Sequence, residues 1–61
     1  MNRETTAKKI REACLAALLG AYEDAGMQGL CAEGRWEAAV DALRMLDLTA
    51  ILRDCERESH E

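Results

Sequence analysis

The apolar positions of this chain fall into two runs with a glycine-punctuated stretch between them. The first run holds Ile10, Ala13, Cys14, Leu15, Ala16, Ala17, Leu18, Leu19, Ala21 and Tyr22. Its recurrence at three- and four-residue steps reads as a helix over about residues 4–25. Asn2, Thr5 or Thr6 are the candidate N-caps, and Gly26 and Gly29 are the stop signals. In the second run Trp36, Ala39, Leu43, Leu46 and Ala50 alternate three- and four-residue steps, and Val40 and Ala42 widen the stripe. That pattern predicts a second helix over about residues 35–57. After Leu46 the stripe rotates to Leu48, Ile51, Leu52 and Cys55. A single, kinked helix is the expectation here. The alternative is a break near Asp47, whose side chain then caps a short final helix. Residues 26–34 are left as the turn.

The first helix is apolar around more of its girth than one neighbour can cover, and such a helix is buried on two sides. Within it Ala13, Ala17, Ala21 and Ala25 recur every fourth residue. Small residues at that spacing form a ridge along which another helix approaches closely, with Leu15, Leu18, Leu19 and Tyr22 flanking it. The expected fold is therefore all-α: an antiparallel helical hairpin, one domain over residues 1–61, that dimerises into a four-helix bundle.

Composition agrees. The chain has 61 residues, no proline and no phenylalanine, and alanine, leucine, glutamate and arginine are good helix formers. A chain of this size buries only about 60% of the surface its unfolded form exposes. Disulfides, a metal or a second subunit commonly make up the difference.

Charge adds an orientation. The net charge of −4 argues against general nucleic-acid binding, which depends on Lys and Arg neutralising phosphates. The charges are also segregated: Arg3, Lys8, Lys9 and Arg11 lie at the start, and Asp54, Glu56 and Glu58 near the end. An antiparallel hairpin brings those clusters together, and a parallel one does not. Exposed ion pairs contribute only about 0–1 kcal/mol each, so their value is in direction rather than stability.

Basic residues followed by the apolar stretch Ala13 to Ala21 loosely mimic a signal peptide. Glu4 and Glu12 stand against that reading, as does the short remainder that cleavage would leave. No stretch is long enough to span a membrane as a helix.

Little of the chain offers chemistry. Cys14, Cys31 and Cys55 are an odd number of cysteines with no C-x-x-C pair, which suits free thiols in a reducing, cytoplasmic setting rather than a disulfide framework. With His60 they make four soft-metal donors, but zinc sites draw on close-spaced pairs that are missing here. Cys31 is the most chemically interesting thiol because it lies beside a helix start. Glu33 is expected to oppose its ionisation, and no histidine is placed to activate it. Trp36, one of two aromatics beside Tyr22, is expected to plug the core next to the turn, with Leu30 and Cys31 tucked inward. No phosphate-binding motif is present, because the glycines lack the Lys-Ser/Thr of a P-loop. No cofactor is expected.

"GRWEAAVDALRML" resembles the turn and second helix of a tetratricopeptide repeat. Gly34, Trp36, Ala39 and Leu43 stand at the positions that family fills with glycine, an aromatic, alanine and a large apolar residue. The resemblance implies that Trp36 and Ala39 pack against the preceding helix. It covers about a dozen residues, and Glu23 and Gly26 stand where the repeat's first helix has Trp and Leu. No second repeat follows, so the likeness is one of helix-packing physics.

The functional reading is a small non-enzymatic interaction or regulatory protein. It acts through self-association, with a dimer favoured, and through a larger protein partner. The interface and core set comprises Ile10, Cys14, Leu15, Ala17, Leu18, Leu19, Ala21, Tyr22, Leu30, Trp36, Ala39, Val40, Leu43, Leu46, Ile51 and Leu52. Two readings from other classes stand beside it. One is a nucleic-acid regulator using Lys8, Lys9 and Arg11 of paired N-termini. The other is a thiol or metal protein using Cys31.

Overall fold

The computed structural model describes residues 2–58. Within them the chain is all-α, with α1 (Arg3–Met27), α2 (Ala32–Arg44) and α3 (Leu48–Glu58) and no strand. It is a rod of 44 × 16 × 16 Å. α1 is its spine: both shorter helices pack against it, α2 more extensively, and among the described residues the backbones of α2 and α3 do not approach each other.

α1 begins where Asn2 Oδ1 accepts the Glu4 backbone N–H at 2.8 Å, satisfying one of the orphan donors of the first turn. Gly26 does not end it. The helix runs through to Met27, and Gly29, at φ +89°, turns the chain. Leu30 N–H donates to the Ala25 carbonyl and Gly29 N–H to the Gly26 carbonyl, both at 3.0 Å. This paired closure is the Schellman motif, which puts a left-handed residue just past the helix and favours glycine there. α2 then starts at Ala32, earlier than the apolar stripe indicated, with Cys31 in the N-cap position.

The expected single second helix is two. α2 stops at Arg44, and Met45 N–H closes onto Asp41 O. Asp47 Oδ1 accepts the Ala50 N–H at 3.1 Å and so caps α3. Leu46 and Ile51, both half-buried, hold the two positions of a hydrophobic staple around that cap. The rotation of the apolar stripe after Leu46 marks a change of helix rather than a kink.

Three small residues form the buried set among the described residues: Ala25, Ala39 and Cys55. On α1 the ridge Ala13, Ala17 and Ala21 is half-buried and leads to Ala25, with Ile10, Cys14 and Leu18 beside it. α1 therefore turns its small residues toward α2 and α3. No large side chain among the described residues is fully buried.

Candidate functional site

Two features of the surface stand out, an apolar stripe on α1 and the corner where α1 meets α2. Leu15, Leu19 and Tyr22 lie four and three residues apart on α1, so they share one face. They are 50%, 53% and 38% exposed. The bulk expected to flank the ridge thus divides: Leu18 turns in and is half-buried, whereas Leu15, Leu19 and Tyr22 turn out. The two helices that pack on α1 leave Leu15 and Leu19 half open, and the Arg35 side chain reaches over the Tyr22 end of this face.

The corner is held by Arg35, which the sequence pattern did not single out. Its Nε–H donates to the Leu30 carbonyl at 3.1 Å, and its guanidinium carbon lies 5.8 Å from the centroid of the Tyr22 ring. It passes so close over Gly26 that a Cβ there would sit 3.1 Å from that carbon. Leu30 in turn packs on Gly34, where a Cβ would come within 3.0 Å of Leu30 Cδ2. The two glycines make room for an arginine and a leucine, and a glycine a few positions from a long side chain is too common a pattern to have revealed it.

Other expected site residues are placed as follows. Ala39 is buried, and Val40, Leu43, Leu46 and Ile51 are half-buried, while Leu52 and Leu30 are exposed at the margin. Trp36 does not plug the core. It is 62% exposed and lines an open groove of about 440 Å³ on the outer side of α2 with Glu37, Val40, Asp41 and Arg44. The residues buried between the helices are the small Ala25 and Ala39, and the indole is left at the surface. Leu30 reaches over Gly34 rather than into a core, and Cys31 faces solvent.

The thiols are separate. Cys14 is half-buried, Cys31 exposed and Cys55 buried, all free. Among the described residues no three His, Cys, Asp or Glu side chains gather as a metal-binding group, and His60 lies outside those residues. The backbone N–H groups of Gly34 and then Glu33, in the first turn of α2, hold the Cys31 thiol below the usual cysteine value, against the raising effects of desolvation and, less, of the Glu37 carboxylate. Glu33 was expected to oppose ionisation. Its backbone favours the thiolate instead, although no cap hydrogen bond to the side chain is formed.

On the basic segment Lys8 and Arg11 are exposed and Lys9 is half-buried. Asp54, expected to meet that cluster, is paired with Arg57 of its own helix at 2.9 Å. Among the described residues no helix is long and apolar enough to cross a membrane.

No protein-family model, curated protein or solved structure gives a match to this chain. Of the two packing contacts that the repeat-like segment implied, Ala39 makes the buried one and Trp36 does not.

Proposed function

We propose that this chain is a small non-enzymatic interaction protein of regulatory type, whose first partner is a copy of itself. In this reading α2 and α3 run back along α1 as an antiparallel hairpin, and two hairpins close a four-helix bundle that presents its remaining surface to a larger protein. The observation that carries it is the half-exposure of Leu15 and Leu19 in the middle of the longest helix. Burying apolar area contributes about 25 cal/mol per Å², and a chain this small has little else to draw on.

The test is molar mass in solution by light scattering after size exclusion, under reducing conditions at two concentrations. The reading expects a dimer, and a melting temperature that falls on hundredfold dilution because association stabilises the folded state by mass action. A folded monomer with a concentration-independent melt would overturn it.

A further inference from the structure

We infer that two copies pair through α1 in antiparallel fashion across a two-fold axis at Leu19, with Glu12 of each copy against the Arg35 guanidinium of the other. The inference rests on the self-association reading above and specifies its geometry. The outward stripe of α1 reads Glu12, Leu15, Leu19, Tyr22, Gly26. It is nearly symmetric about Leu19: Glu12 and Gly26 lie seven residues to either side, and Leu15 and Tyr22 four and three. The ends carry opposite charge. Glu12 is exposed and has no ion pair or hydrogen bond among the described residues. At the other end glycine contributes no side chain, and the Arg35 guanidinium covers it, steadied by the Leu30 carbonyl and the Tyr22 ring.

Reversing one copy on the other therefore sets Leu19 against Leu19, Leu15 against Tyr22, and each carboxylate against a guanidinium. A parallel pair sets Glu12 against Glu12 and the two guanidinium groups against each other. Like charges placed face to face oppose the wrong register, which is how charge selects orientation at an interface. Gly26 also lets the backbones approach closely where the guanidinium lies, as small residues do at helix contacts.

The test is site-directed disulfide trapping in the full chain, with Cys31→Ser to remove the exposed native thiol and oxidised glutathione as the oxidant. In the proposed pair Leu19→Cys faces its own copy and cross-links. Leu15→Cys lies eight residues from its own copy along the helix, about 12 Å at 1.5 Å per residue, beyond the roughly 7 Å limit between Cα atoms of a disulfide. The expected result is a disulfide-linked dimer of the Leu19→Cys variant, its bond mapped to position 19 of both copies by mass spectrometry, and no such dimer of the Leu15→Cys variant. Cross-linking at both positions would show parallel pairing and overturn the inference, and cross-linking at position 15 alone would overturn it as well. Cross-linking at neither, with the parent chain still dimeric by light scattering, would move the contact elsewhere and overturn the inference while leaving self-association standing. A monomeric parent removes both. As a second reading Glu12→Arg, an exposed change that leaves the fold intact, raises the dimer dissociation constant by about tenfold at low salt because it meets Arg35 twice. An unchanged constant counts against the charge register.

Discussion

The guanidinium of Arg35 lies over the ring of Tyr22 across the α1–α2 corner, 5.8 Å from its centroid. The same group spans Gly26 and reaches the Leu30 carbonyl, so one side chain on α2 ties together the last turns of α1 and the residue after the turn. Arg35→Ala is expected to lower stability by about 1 kcal/mol, from the lost carbonyl hydrogen bond and ring contact. Arg35→Lys keeps the charge without the planar fork and should fall close to the alanine variant. Urea unfolding at one fixed protein concentration checks this, and equal midpoints for parent and variants would mean the corner holds without the arginine.

Gly29 and Gly20 should respond to alanine with opposite signs. Gly29 sits at φ +89°, where a Cβ is strained, so Gly29→Ala costs about 1 kcal/mol or more. Gly20 lies inside α1 with nothing within 4 Å of a built Cβ. Gly20→Ala therefore stabilises by up to about 1 kcal/mol, by restricting the unfolded chain and favouring helix. Thermal melts of the two variants side by side are the measurement. A shift in the same direction for both would contradict the backbone assignment at Gly29.

Asp47 holds the start of α3 through its bond to the Ala50 N–H. Asp47→Ala is expected to cost about 1 kcal/mol and Asp47→Asn much less, since asparagine caps as well as aspartate. The loss should be local, with amide hydrogen exchange speeding up through α3 and little in α2. Uniform acceleration along the chain would show that the break between the helices is not a boundary of stability.

Cys31 should be the first thiol to alkylate, ahead of half-buried Cys14 and buried Cys55. The backbone N–H groups of Gly34 and Glu33 favour its thiolate, so its reaction with iodoacetamide rises at lower pH than that of the same residue in urea. The sign for stability follows from linkage. The folded pKa lies below the unfolded one, so the folded chain holds fewer protons between the two values and stability rises with pH there. That contribution is present above the unfolded value and is lost as pH falls through the folded one. A pH–rate profile that does not move on unfolding would remove the role of the two N–H groups.

Much of the helical content was legible because periodicity is a local signal. Asn2 before a run of helix formers, and the ridge Ala13, Ala17, Ala21, Ala25, are visible in the letters alone. Gly29 was legible as a stop, but Gly26 looked like one as well, and only the path of the chain distinguishes a glycine that ends a helix from one that makes room for Arg35. Asp47 had a readable cap signature in Leu46-Asp47 and Ile51, yet the apolar stripe continued past it and favoured one helix. Trp36 was misplaced because its seam position was read as if any apolar side chain fits at a seam. The buried positions on α1 and α2 belong to the small Ala25 and Ala39, and the indole stays outside. Arg35 was missed for the converse reason: its role comes from atoms on three separate segments that meet only after folding.

Among the described residues α2 and α3 pack on α1 and not on each other. Cooperativity between the two arms therefore runs through their shared packing on one helix and through the short link of residues 45–47, as coupling does between neighbouring units of a linear array. α3 and the stretch of α1 it packs on form one thermodynamic neighbourhood, and the Arg35 corner forms another. In such a molecule the spine does more than support the arms: it is the packed surface through which each arm registers the state of the other.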